Sequence, residues 1–196
     1  MRLRDEHKEH AIRDKAIQMI VQHGFDGLSM QKLAKAAKVS PATIYLYYKN
    51  REDLLNQVYM YVDRRFTEIT LQNFDPEMSF EAGLWLQWKN RLEHNMNYPH
   101  HIVFMEQFRS SPLINHKDIV RNSFTEAMEK FYDNAIKKKE LIDVPVQIFW
   151  AIAYGPLYTL IRFHFGKKPF LGSKFKLSEA IMKQAFDLVI KALKRK

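Results

Sequence analysis

Apolar residues Ala11, Ile12, Ala16, Met19 and Ile20 recur at helical spacing, so the chain from about Glu6 to His23 is predicted to form an amphipathic helix. Gly24 stops that helix as a C-cap-type residue, and Gly27 marks the turn after it. Ser29 is a candidate N-cap for a short helix ending near Ala36. Ser40-Pro41 is a second start signal, with Ser at the cap and Pro at the first helical position, where its missing N–H costs nothing; the helix it opens runs to about Tyr47. Asn50 can cap a long helix from Arg51 to about Gln72. Asn73-Phe74-Asp75-Pro76 breaks the pattern, and Pro76 is expected to open the next helix, to about Asn95. After Asn97-Tyr98-Pro99, a helix from about His100 to Arg109 ends at Ser110-Ser111-Pro112. A long amphipathic helix is predicted from about Lys117 to Lys138, and an apolar one from Pro145 to about Phe165. Gly166 to Ser173 reads as a loop, and a last helix follows from about Leu177 or Ser178 to Leu193. The sum is an all-α chain of about nine helices, with no convincing strand and no repeat.

Composition supports a packed protein: 46% of the 196 residues are hydrophobic. The absence of cysteine excludes disulfide scaffolds, thiolate zinc sites and cysteine nucleophiles, and suits a cytoplasmic location. The charged start, Met1 to Lys8, has no apolar stretch and does not read as a signal peptide. Val144 to Ile161 carries no formal charge, but Pro145, Gln147, Gly155, Pro156 and Thr159 argue for a buried helix over a membrane span. The formal net charge of +9 raises the expectation of an anionic partner. Its distribution says more. From Leu28 to Arg51 the basic residues Lys32, Lys35, Lys38, Lys49 and Arg51 occur with no acidic residue among them.

That strip coincides with two short helices joined by a tight turn. Such a pair packs closely only if the first helix carries a small residue, here Ala34, with Leu33, Ala37, Val39 and Ile44 facing inward. The turn position that usually holds a left-handed Gly is Lys38, at a cost on the order of 1 kcal/mol. The second helix presents Pro41, Ala42, Thr43, Tyr45 and Tyr47 instead of solubilising Glu and Lys. Small residues at its start let the backbone approach a base edge, and Thr43 can donate or accept there. Lys49 and Arg51 follow where the chain would cross a phosphate backbone, and Ser29 heads a helix whose free N–H groups can hold a phosphate. The pattern predicts a DNA-binding helix-turn-helix spanning Ser29 to Tyr48.

The segment from Ala16 to about Leu55 resembles the tetracycline-repressor-like (TetR) family of bacterial transcription regulators. The residues that carry the likeness are His-Gly-Phe at 23–25, Leu-Ser-Met-Gln-Lys-Leu-Ala-Lys-Ala-Ala-Lys-Val-Ser at 28–40, and Thr-Ile-Tyr-Leu-Tyr-Tyr-Lys-Asn-Arg-Glu-Asp-Leu-Leu at 43–55. Two positions depart from the family pattern: Lys38 stands for Gly, and Tyr48 stands for a Phe that packs the recognition helix onto its domain. The resemblance implies an N-terminal three-helix DNA-binding domain, residues 1–50, and a helical ligand-binding and dimerisation domain, residues 51–196. It places Ser29, Lys38, Ser40, Pro41, Ala42, Thr43, Tyr45, Tyr47, Lys49 and Arg51 at DNA-contacting positions, with Pro41, Ala42, Thr43 and Tyr45 toward bases. It also implies a homodimer paired through the last two helices, and repression by promoter occlusion.

Beyond residue 55 the chain carries no motif but many large rings. Trp85 and Trp88 lie three apart on one helix, and Trp150 and Tyr154 four apart on another, so facing pairs would make a flat slot for a small apolar or aromatic effector. Phe104, Phe108, Phe124, Phe131 and Tyr158 complete the candidate lining. Each of these can equally fill a core, which leaves open a ligand-independent DNA-binding protein of the same fold. His94, His100, His101 and His116 lack metal-ligand spacing, and no cofactor loop or catalytic constellation occurs. An enzyme or carrier built on a helical bundle is the more remote alternative.

Overall fold

The computed structural model describes residues 5–109, 111, 123–166 and 174–195. Among them run nine α-helices: α1 Glu6–His23, α2 Met30–Ala36, α3 Pro41–Tyr45, α4 Arg51–Thr70, α5 Phe80–Asn97, α6 Pro99–Arg109, α7 Ser123–Lys137, α8 Val146–Phe165 and α9 Glu179–Leu193. A single 3₁₀ turn, Phe25–Gly27, links α1 to α2. The all-α expectation holds. The extended pairing among described residues is one isolated bridge, Leu141 with Lys194, flanked by hydrogen bonds from Ile142 N to Leu193 O (2.9 Å) and from Arg195 N to Glu140 O (3.0 Å).

Most helix ends follow the expected chemistry. Gly24 adopts φ 69° after α1, and its N–H reaches Ile20 O at 2.8 Å. Asn50 Oδ1 accepts from Asp53 N (2.8 Å) and caps α4. The start of α5 differs from expectation. Pro76 does not open it: Asp75 takes Glu77 N on its carboxylate (2.9 Å) and Met78 N on its carbonyl (3.0 Å), closing a turn, and α5 begins at Phe80. The expected start of α7 at Lys117, most of the Gly166–Ser173 loop, and His116 lie outside the described residues.

The described residues fall into two compact units. Of the described residues, the first draws on 5–65, 98–109 and 111, the second on 66–97, 123–166 and 174–195. A sequence boundary at residue 50 thus differs from the compact grouping, which adds the start of α4 and all of α6 to the N-terminal helices. The reason is burial. In the first unit Ile12, Ala16 and Ile20 of α1, Leu33, Ile44, Leu54 and Val58 share a core with Phe104 and Phe108 of α6. Phe108 stacks on Tyr59 at 4.6 Å, and the Arg13 guanidinium covers the Tyr61 ring at 3.4 Å.

In the second unit α8 packs on both α5 and α9, and α7 packs on α5. Trp88 is fully buried and its indole Nε1 donates to Ala153 O at 2.7 Å, one turn before Pro156. Gly83 allows α5 and α7 to approach: a Cβ there would stand 2.5 Å from the Phe131 ring. The amides of Gln87 and Asn90 donate to Thr70 O at 2.7 and 3.1 Å, satisfying a carbonyl at the end of α4. No described helix is long and apolar enough to cross a membrane, and the uncharged stretch around residue 150 is α8.

Candidate nucleic-acid interface

The first unit builds the helix-turn-helix from local rules. Ser29 Oγ accepts from Lys32 N (3.2 Å) and starts α2; Ser40 Oγ accepts from Thr43 N (3.1 Å) and starts α3, with Pro41 in the first turn. Ala34 is 1% exposed, small enough for α2 to sit close against its neighbours. Between the two helices Lys38 takes φ 56°, the left-handed conformation expected from its place in the turn, while its side chain stays exposed. Replacing Lys38 with Gly is expected to raise unfolding stability by up to about 1 kcal/mol. The same change removes a cation from the basic strip, so the salt slope of DNA binding should fall while the urea midpoint rises. A lower midpoint for that variant would contradict the strain reading.

The helical period of α3 sorts its side chains onto two faces. Ile44, Tyr47 and Tyr48 are buried, while Tyr45 is 53% and Leu46 64% exposed beside exposed Pro41 and Ala42. Thr43 is half-buried, with its hydroxyl 2.8 Å from Ser40 Oγ. An exposed tyrosine and leucine at the tip of a short helix, next to small residues, form a surface that can lie on sugar and thymine methyl groups. Lys32, Lys35, Lys38 and Lys49 are exposed around it.

Two of the expected contact residues make internal hydrogen bonds. Tyr47 does not point outward: it is 7% exposed, accepts from Asp5 N and donates to Asp5 O, both at 3.1 Å, and so ties the start of α1 to the turn after α3. Arg51 is half-buried, and its guanidinium donates to Phe25 O (2.6 Å) and Leu28 O (3.2 Å), the carbonyls of the α1–α2 connector. The Arg51 guanidinium thus serves an internal tie between the start of α4 and that connector. Leu46 joins the exposed face although no expectation from the sequence names it. Its signal was the period itself, which sets Ala42, Tyr45 and Leu46 on one face and Ile44, Tyr47 and Tyr48 on the other.

The aromatic residues do not converge on one slot. Phe104 and Phe108 belong to the core of the first unit. In the second unit Trp85 and Trp88 pack on Phe186 of α9 at 4.8 and 5.4 Å, and Phe131 packs on Phe74 and Phe80. Trp150 instead lies tilted against Tyr154, with ring centroids 4.6 Å apart, and meets Phe124 edge-on at 6.3 Å. Among the described residues the two tryptophans of α5 thus pair with Phe186 of α9 and not with Trp150 and Tyr154. Phe124, Trp150 and Tyr154 gather around the Arg91 guanidinium, and Tyr158 is half-buried one turn along α8. Burial pushes the Tyr154 phenol up against an opposing pull from Arg91, so it is neutral near pH 7 and supplies no counter-charge. No three His, Asp or Glu side chains come together among the described residues.

Comparison with known proteins places this geometry. A family profile described as bacterial regulatory proteins, tetR family, matches residues 12–58. An HTH-type transcriptional regulator of Haemophilus influenzae is 31% identical over 135 residues, covering 69% of this chain and 71% of that protein. A negative transcriptional regulator of a biofilm operon from Staphylococcus epidermidis is 22% identical over 140 residues, covering 67% of this chain and 74% of that protein. The crystal structure of a TetR family transcription regulator from Marinobacter aquaeolei superposes with a TM-score of 0.86 at 25% identity, covering 100% of both chains.

Proposed function

The chain belongs to the tetR family of bacterial regulatory proteins, DNA-binding transcription regulators and not enzymes, and from that premise we propose that it is a cytoplasmic homodimeric repressor released from its operator by a small effector. The observation that carries the DNA half is the exposed tip of α3, with Pro41, Ala42, Tyr45 and Leu46 outward and a strip free of acidic residues around it. Each subunit sets this helix in one of two successive major grooves, about 34–36 Å apart, of a near-palindromic site. Pro41, Ala42, Thr43 and Tyr45 approach bases; Ser29, Ser40, Lys38 and Lys49 hold phosphates. Repression by occluding a promoter agrees with the negative regulation for which the Staphylococcus relative is named.

Dimerisation through α8 and α9 is supported by apolar side chains that the chain itself leaves uncovered: Ile148 is 47%, Ile152 36% and Leu188 70% exposed. A Cβ at Gly155, on the same stripe of α8, would meet no atom within 4 Å. The effector reading rests on the rings of the second unit. A ligand there acts as a population shift, favouring a conformation of lower operator affinity.

Selecting bound sequences from random DNA with the purified protein tests the core of the proposal, and a two-fold symmetric consensus is expected. With that site in hand, Thr43→Ala should change the preferred bases more than it changes affinity for random DNA. Equal losses on both would remove Thr43 from base reading.

A further inference from the structure

Arg91 lies on α5 with its side chain 0% exposed. Among the described residues no carboxylate pairs with it. Nη2 reaches Met128 Sδ at 3.8 Å, a weak acceptor, the neutral Tyr154 hydroxyl also accepts from the guanidinium, and Nε and Nη1 have no partner. What surrounds it is aromatic. The guanidinium carbon stands 4.2 Å from the Tyr154 ring centroid, 5.1 Å from Phe124, 5.4 Å from Phe66 and 5.8 Å from Trp150. Ring faces attract the cation, but they do not satisfy the N–H groups in the guanidinium plane. A buried cation with open donors needs an anion or carries a standing desolvation cost.

We propose that Arg91, walled by Phe66, Phe124, Trp150 and Tyr154, anchors a monoanionic ligand, a carboxylate carried on an apolar or aromatic body. The charge follows from the count: one unopposed guanidinium balances one negative charge, whereas a phosphate dianion would leave an excess charge among rings. The body follows from the walls, which offer ring faces and edges and few polar groups. Of these walls Trp150 reaches solvent, at 37% exposed, while Tyr154 and Arg91 are buried, so Trp150 marks the side from which a ligand would enter. Phe66 stands near the end of α4, the helix that begins at Arg51, so a ligand here touches an element that continues into the DNA-binding unit. The inference rests on the effector reading above and gives that effector a chemical class.

The test uses the intact protein and its selected operator. Octanoate and 1-naphthoate are compared with octanamide and 1-naphthamide, which keep shape and lose charge. Thermal shift and DNA titration are read for each. The acids are expected to raise Tm and weaken operator binding, with the amides weaker by about 10- to 100-fold. Arg91→Met should abolish that acid preference without lowering the Tm of the free protein, because it removes an unpaired charge. Equal responses to acid and amide, or an acid preference that survives Arg91→Met, would overturn the anion site. Amides acting where acids do not would sink the anion site and leave the effector reading standing. Silence from both series in both readouts would sink the two together. Should Arg91→Met fail to fold, the acid–amide comparison on the unaltered protein decides the matter.

Discussion

Aspartate at both Ile152 and Leu188 is expected to leave folded monomers whose affinity for a two-fold operator falls by about 10²- to 10⁴-fold. The two positions are chosen because they are apolar and uncovered, at 36% and 70% exposure, on helices that pack against each other. Neither side chain belongs to the buried core clusters, so stability within the subunit should change less than dimer affinity. Across a two-fold interface the same charges would meet themselves in apolar surroundings, where desolvation and like-charge repulsion add. The DNA effect follows from linkage. One recognition helix makes few base contacts, and a dimer gains its affinity because the second head binds at high effective concentration once the first is placed. Light scattering gives the mass, and titration of full and half operators gives the two affinities. The half-site affinity should be unchanged. A double variant that remains dimeric would refute the α8–α9 pairing.

The extent to which residue pattern foretold structure depended on how far each signal reaches. Caps and breakers act within a turn, so Ser29, Ser40, Asn50 and Gly24 were placed correctly from type and spacing alone, and even the left-handed Lys38 was foreseen. Which face of a helix is buried depends on its neighbours. Tyr47 looked like a surface hydroxyl until Asp5, forty-two positions earlier, supplied both partners for it. The rings were the least legible. Trp88 finds its hydrogen bond on Ala153 and its packing on Phe186, sixty-five and more residues away, and Phe104 and Phe108 serve the first unit although they follow α5 in the chain. Arg91 gave no signal, since an arginine in a helical repeat normally faces water; only its burial among rings distinguishes it.

Arg51→Ala should lower the stability of the first unit by about 2–3 kcal/mol, the scale of two hydrogen bonds from a charged donor to carbonyl oxygens, reduced for partial exposure. The carbonyls at risk are Phe25 O and Leu28 O, at the turn that sets α2 against α1. Phe25 O keeps a second partner in Leu28 N at 3.1 Å, which moderates the loss. Arg51→Lys should recover little, because one ammonium does not span two acceptors that a guanidinium fork holds at fixed spacing. A residue that held phosphate would behave differently: its alanine variant would keep full stability, its lysine variant would retain affinity, and the salt slope would drop by about one. For Arg51 the slope should stay constant while urea or thermal unfolding shifts, and affinity lost at higher temperature should return on cooling. An unchanged unfolding midpoint with a reduced slope would put Arg51 back on the DNA. The same logic separates Lys38 and Lys49, whose exposed charges should alter the slope, from Tyr47, whose replacement by Phe should loosen the start of α1 and leave the slope alone.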